Sequence, residues 1–242
     1  MISNTMDSRP AAAAIVVLTV LSYGVGWVLG VPALVPFLNT LASVPFMVAA
    51  LARGGLRLAV ARMLVWAASM AVCATFLSYV QPWRTESLFL GAAAYRTEMF
   101  AWVFTGRGAE STPSQFVPQH AMHAAAFSSL ALATGGVLAM PMGAVLMNQM
   151  GHYVGALAAA SAHPVRTLAI GWHPWSLIRI ASFVTIGVVL SAPLWERIGK
   201  FRVDRPDARR VLALAAAGLI LDVALKWLLA PAWQRLLLGS LG

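Results

Sequence analysis

Long apolar segments, separated by short polar or basic connections, dominate the chain. A bilayer core about 30 Å thick requires around 20 apolar residues per helix, and the chain contains a series of segments of about that length. The pattern predicts an all-α, polytopic transmembrane helix bundle of about seven spans in a single domain. Joining the first two segments into one span would reduce the count to six. The predicted spans are residues 11–30, 35–52, 57–80, 120–140, 143–162, 175–195 and 211–230.

The longest polar interruption of this pattern covers residues 81–119. Its stretch 87–104 is amphipathic and suits a helix that lies in the membrane interface, while glycine and proline punctuate the remainder. We therefore expect a structured loop on the outer side of the membrane, with one interfacial helix. Residues 140–143, Met-Pro-Met-Gly, predict the hairpin that joins the fourth and fifth spans.

The composition excludes most soluble classes of protein. Of the 242 residues, 60% are hydrophobic and only 10% are charged, whereas a globular domain has roughly 25% charged residues. A single cysteine rules out a disulfide scaffold. The net charge is +9, but the cations flank apolar segments instead of clustering on one soluble face. We therefore expect no nucleic-acid partner.

The basic residues predict the orientation of the bundle. They concentrate at 53–62, after the second predicted span, and at 197–210, after the sixth. Four spans separate the two clusters, so both lie on one side, which the positive-inside rule assigns to the cytoplasm. The amino terminus is then cytoplasmic and the carboxyl terminus extracytoplasmic. Alanine and arginine are abundant while lysine is scarce, which is typical of a GC-rich bacterial genome and predicts a bacterial inner-membrane protein.

The histidines lie close together in the sequence and, on this topology, on one membrane face. Two of them are three residues apart on one helical face, a spacing that suits a shared metal. Imidazole binds Cu, Zn and Fe, and a haem takes axial histidines from facing helices. The competing interpretation is that these side chains hydrogen-bond to headgroups, loop carbonyls or each other. The candidates are His120, His123, His152, His163 and His173.

Ionisable residues inside predicted spans are a second candidate site, because burial in hydrocarbon is costly and usually functional. Asp222 lies near the middle of the seventh span, and Lys226 follows one turn later, so the two can pair on one helix face. Arg179, one turn into the sixth span, adds a cation that could meet an anionic substrate or headgroup. These residues predict either a proton or ion relay or a structural ion pair that orients the seventh helix.

Small residues four positions apart predict close helix packing in the fourth and fifth spans. Ala139 with Gly143, and Gly151 with Gly155, have the spacing that lets helix backbones approach. Asn148 can hydrogen-bond across helices at the same place. We interpret these features as a tightly packed hairpin of the two spans.

Three functions remain open at this point. The first is transport of an ion or small solute through a polar, His-containing site open to the extracytoplasmic side. The second is an assembly or anchoring subunit of a larger membrane complex, with a second copy or other subunits as partners besides the lipid bilayer. The third is a metal- or haem-dependent membrane enzyme on the outer histidine face, with Glu98 or Glu110 as an acid or base. Motifs of hydrolases, nucleotide-binding proteins, zinc peptidases and thiol oxidoreductases do not occur, and no pattern assigns the chain to a family.

Overall fold

The computed structural model describes residues 8–41 and 43–242. In that part of the chain every regular element is helical and no strand occurs, so the prediction of an all-α protein is confirmed. A short 3-10 helix, Ala109–Ser111, precedes the seventh α-helix. The α-helices are α1 (Ser8–Leu29), α2 (Val35–Thr40), α3 (Ser43–Gly54), α4 (Leu56–Val80), α5 (Pro82–Leu88), α6 (Ala92–Thr105), α7 (Pro113–Thr134), α8 (Ala139–Ala159), α9 (Pro164–Gly171), α10 (Pro174–Gly199) and α11 (Arg205–Leu241).

Among the described residues, five helical segments are long and apolar enough to cross a membrane. The predicted fourth and fifth spans correspond to α7 and α8, which have 22 and 21 residues but contain no sufficiently apolar stretch of 18 residues and are not among the five. The count of seven spans is therefore not confirmed. The five candidates are Arg9–Leu29, Val35–Arg53, Leu56–Val80, Pro174–Gly199 and Arg205–Leu241.

Helix α8 lies at the centre of the bundle, with most of its side chains buried. It packs mainly against α4, and its glycines permit the close approach. A Cβ atom on Gly151 would lie 2.5 Å from the Cβ of Ala74, and a Cβ on Gly155 would overlap the backbone of Thr75. The small-residue pattern thus serves the contact of α8 with α4, whereas the sequence had suggested contact with the preceding span.

The start of α8 is the part that meets α7. A Cβ on Gly143 would lie 3.4 Å from the Phe127 ring, and Ala139 is buried in a small apolar cluster with Phe127. Further along, α7 packs mainly against α10. The two helices of the predicted hairpin therefore diverge.

The turn between α7 and α8 lies earlier than the sequence predicted. Gly135 and Gly136 have φ angles of +60° and +87°, the left-handed conformation that glycine adopts without a Cβ penalty. Pro141 belongs to the first turn of α8, where its missing N–H costs nothing. The predicted hairpin at 140–143 is therefore helical, and residues 135–138 make the turn.

The two basic segments lie at the same end of the bundle. Arg57 at the start of α4 donates to a carboxylate oxygen of Asp207 on α11 at 2.7 Å. The opposite end carries α5 and α6, and Arg84 of α5 donates to the carbonyl oxygen of Trp27 near the end of α1. Residues 81–119 are thus mostly helical, and α6 buries Met99 and Trp102 against the bundle while much of its remaining surface is exposed.

Candidate functional site

Four charged side chains form two buried ion pairs near the end of the bundle that carries α5 and α6. Arg179 on α10 donates from Nε and Nη2 to the two carboxylate oxygens of Asp222 on α11, each over 2.9 Å. Lys226 Nζ donates to Glu110 Oε1 at 2.6 Å. Asp222 and Lys226 are each only 1% exposed. Two positive and two negative charges cancel, and each buried charge has a hydrogen-bonded partner, as burial away from water requires.

This arrangement differs from the predicted pair of Asp222 with Lys226. Although they lie one turn apart, each is paired with another element within the described residues. The Arg179 guanidinium matches the two oxygens of a carboxylate with two parallel hydrogen bonds, a stronger geometry than a single ammonium offers. The ion pairs therefore cross-link α10, α11 and the 3-10 helix instead of bridging one turn of α11.

Glu110 is the member of this network that lies in the loop between α6 and α7. Burial alone would raise the pKa of its carboxyl, but the positive charges of Lys226 and Arg179 outweigh that effect and hold the pKa below its ordinary value. The carboxylate is therefore ionised at neutral pH, and it anchors the loop to α11. The ammonium of Lys226 also lies 4.6 Å from the centre of the Phe116 ring, a favourable cation–π contact.

Two of the predicted histidines lie beside the network on α7. The Nδ1 atom of His120 is 3.6 Å from Oδ2 of Asp222, and it is buried without a hydrogen bond to the described residues. His123 follows three residues later. Both side chains face the same cavity.

The cavity has a volume of about 140 Å³ and lies between α4, α6, α7, α8 and α10. Its wall is polar at the end next to the ion pairs and apolar at the other end. The polar part includes Glu98, Glu110, His120, His123, Gln149 and Arg179. The apolar part includes Trp66, Phe127, Met140, Met147, Phe183 and Val184.

His152 lies in a separate polar cluster at the junction of α4, α5 and α8. It is completely buried, and its Nδ1 is 3.2 Å from the Thr85 hydroxyl and 3.3 Å from the Ser78 hydroxyl. Its Nε2 is 3.4 Å from Oε2 of Glu86, which also pairs with Arg96 at 2.6 Å. The order hydroxyl, imidazole, carboxylate is that of a nucleophilic relay. Both hydroxyls are fully buried and neither lines the cavity, so neither can reach a substrate there as a nucleophile. The hydrogen bonds of the cluster instead hold α5 against α4 and α8.

Asn148 belongs to a third polar cluster, which joins α8 to the first two helices. Its side-chain nitrogen donates to Oδ1 of Asn39 at 3.0 Å, and its oxygen accepts from the hydroxyl of Tyr23. Asn39 in turn donates to the Ser22 hydroxyl at 2.9 Å. Each buried amide thus has a partner, and the cluster fixes how α1 and α2 meet α8.

The remaining two histidines lie apart from the cavity. His173 precedes α10 and is 1% exposed, with its ring stacked on Trp175 at 4.7 Å between centres. Burial lowers its pKa to about 4. His163 is exposed just before α9. Within residues 8–41 and 43–242, no three His, Cys, Asp or Glu side chains come together as a set that could hold a metal ion.

Sequence reasoning did not identify the partners of these polar residues. Arg179 and Asp222 are 43 positions apart, and Lys226 and Glu110 are 116 apart, so no local spacing indicates either pair. The sequence did indicate that all four are ionisable residues in or beside an apolar segment. The chain matches no protein family, no curated protein and no solved structure.

Proposed function

We propose that the protein is a multi-pass bacterial inner-membrane transporter that moves a small solute through the cavity beside Arg179. The observation that carries the proposal is a cavity whose polar wall contains part of a buried, hydrogen-bonded charge network. Intramembrane ionisable residues usually face the bundle interior and mark substrate or proton pathways. Ion pairs that only orient helices would not require a cavity beside them.

In this proposal the chain has seven spans, with α7 and α8 crossing the membrane in addition to the five apolar helices. Both helices have spanning length, and burial of α8 in the bundle centre allows it polar residues that lipid would not tolerate. Two additional spans return the chain to the same side of the membrane, so five spans and seven spans predict the same sides for both termini. The basic end that contains Arg57 and Asp207 is then cytoplasmic, and the polar end of the cavity faces the extracytoplasmic side.

The residues divide into two roles. Arg179, His120 and His123 line the cavity and bind the solute. Asp222 holds Arg179 in place, while Lys226 and Glu110 fix α11 to the outer loop. His120, adjacent to Asp222, provides the group through which a proton moves between the cavity and the ion pair.

Cysteine accessibility tests whether the cavity is a pathway across the membrane. Cys73, the single native cysteine, is first replaced by alanine. His123→Cys then places a thiol at the polar end, and Met147→Cys places one about a turn deeper along α8, in the apolar part of the wall. A sulfonated, membrane-impermeant methanethiosulfonate is added to right-side-out and to inside-out membrane vesicles, and the rates of labelling are measured.

A transporter that exposes its cavity alternately predicts labelling of His123→Cys from the outside and of Met147→Cys from both sides. Leu214→Cys is the matched control, since Leu214 is 73% exposed on the apolar face of α11 and should contact lipid instead of water. Labelling of Met147→Cys from the outside alone would indicate a binding pocket without a pathway. No labelling at either cavity position would contradict the proposal altogether.

A further inference from the structure

The polarity of the cavity changes along its length. It follows α8 from Met150 to Met140, ten residues that rise about 15 Å. Because α7 and α10 run in the opposite direction to α8, with Phe127 near Gly143 and Ser191 near Gly136, their amino-terminal halves, which contain His120 and Arg179, lie at the Met150 end. A molecule that fills this space must present a polar group at one end and an apolar body at the other.

The polar end offers hydrogen-bond donors that the protein does not use. Arg179 employs Nε and Nη2 on Asp222, while its Nη1 makes no hydrogen bond to the described residues. His123 likewise makes no hydrogen bond within that part of the chain and faces the cavity. A guanidinium with a free edge, next to an imidazole, recognises a carboxylate or phosphate oxygen.

The apolar end is lined by aromatic rings and thioethers, and the whole cavity has room for about one ring or a short alkyl chain. Phe127 and Phe183 meet edge to face, with their centres 5.1 Å apart, and Met140 and Met147 complete this part of the wall. The cavity volume of about 140 Å³ is close to that of an engineered apolar cavity that binds benzene. Methionine side chains adapt to the shape of such a group.

The charge balance favours a monoanion over a dianion. The two ion pairs are neutral together and Glu98 adds a carboxylate to the same wall, so a bound anion enters a site that has no excess positive charge. One proton taken up with the anion offsets the added charge, and the imidazoles of His120 and His123, which line the same wall, are the nearest basic side chains that can accept it. A phosphate monoester, with nearly two charges, would require a second cation. The other titratable and charged groups around the imidazoles are Tyr95, Glu98, Glu110, Arg179, Asp222 and Lys226.

We propose that the solute of this cavity is a small amphipathic monocarboxylate, bound together with one proton. Its carboxylate accepts hydrogen bonds from Arg179 and His123, and its ring or alkyl body packs against the apolar wall that contains Phe127 and Met147. This inference rests on the proposed transport function, for which it names the class of substrate.

Benzoate is the probe that matches the cavity in size and charge. Its binding to the protein in detergent is measured by isothermal titration calorimetry, beside benzamide, the uncharged analogue, and benzylamine, the cationic one. We expect benzoate to bind at least about tenfold more tightly than either, the effect of a hydrogen bond to a charged group. Repeating the titration in buffers of different ionisation enthalpy should reveal about one proton taken up per benzoate.

Two variants attribute the binding to the proposed contacts. Replacing Arg179 alone would leave Asp222 buried without a partner, so the double variant Arg179→Gln/Asp222→Asn removes both charges together. It should weaken benzoate binding by about tenfold or more while leaving benzamide binding unchanged. His123→Gln should weaken benzoate binding and reduce the proton uptake. Leu214→Ala, on the lipid-facing side of α11, should change neither.

Equal binding of benzoate and benzamide, or tighter binding of benzylamine, would overturn the proposal of an anion site. So would a co-purified phospholipid, seen by native mass spectrometry, that benzoate does not displace. Accessible cavity thiols without benzoate binding would retain the transport function and refute this substrate class. Benzoate binding without access from the inner side would retain the anion site and refute transport.

Discussion

The ion pair between Glu110 and Lys226 should couple the loop between α6 and α7 to α11 strongly enough to measure. Lys226→Met removes the positive charge and retains the length of the side chain, while Glu110→Gln removes the negative charge and retains the shape. At 2.6 Å and an effective dielectric constant of about 20, the attraction amounts to about 6 kcal/mol, part of which is offset by the desolvation of both groups. Each single variant leaves the other charge buried, and that costs about 3–5 kcal/mol.

The double variant should lose less stability than the two single variants combined, because neither charge is then left alone. We expect a coupling energy of about 2 kcal/mol or more. The free energy of unfolding can be followed in mixed micelles by titrating SDS and recording tryptophan fluorescence, for which the chain has nine tryptophans.

The matched control is the same set of two single variants and one double variant at Arg57 and Asp207. These residues form an ion pair at a similar distance, 2.7 Å, but the arginine side chain is 79% exposed. Solvent and salt screen such a pair, so its coupling should be much smaller than that of the buried pair. Losses for Glu110→Gln and Lys226→Met that add within about 0.5 kcal/mol would refute the inference that the two residues form one buried unit.

Three further predictions concern the rest of the bundle. Gly155→Ala should destabilise the protein by about 1–3 kcal/mol, because the added Cβ would overlap the backbone of α4. Gly24 has open space around it, so Gly24→Ala should not destabilise the protein. Equal effects of the two substitutions on SDS unfolding would contradict the close packing of α8 on α4. Asn148→Ala should cost about 1–3 kcal/mol in the same assay, because it leaves buried polar partners unsatisfied, and a neutral result would show that water replaces the amide. His173 has a folded-state pKa of about 4 against about 6.5 in the unfolded chain, so the unfolded chain binds the proton more readily. Its contribution to stability is present above pH 6.5 and is lost as the pH falls toward 4, by about 3 kcal/mol in total. The unfolding temperature of His173→Gln should therefore depend less on pH between 4 and 6.5 than that of the parent protein. An unchanged pH dependence would contradict the role of buried His173. His163→Gln, at an exposed position, is the control and should leave the pH dependence unchanged.

The helices could be predicted from the sequence because apolar length and loop punctuation are local properties. The segments marked at 57–80 and 175–195 lie within α4 and α10. The turn after α7 was misplaced because Pro141 resembles a turn residue, although proline is also favoured in the first turn of a helix. The Gly135-Gly136 pair was the better signal, since both residues adopt positive φ.

The contacts of the site could not be predicted in the same way. Packing partners depend on how helices cross, so the glycines of α8 indicated a close neighbour without indicating α4. The histidines illustrate the same limit: His120 and His123 line the cavity, whereas His152 joins a cluster with Glu86 and two hydroxyls. Shared depth in the membrane predicted one site, but the side chains diverge around the bundle.

The central claim, that the cavity beside Arg179 is a route across the membrane, is tested most directly by the accessibility of position 147. In inside-out vesicles, Met147→Cys on the Cys73→Ala background should react with an impermeant thiol reagent well above the rate of Leu214→Cys. In right-side-out vesicles it should react as well, since the proposed topology places the polar end of the cavity on the outer side. Reaction from the outer side alone, with the inner-side rate equal to that of the lipid-facing control, would contradict transport and leave a one-sided binding site.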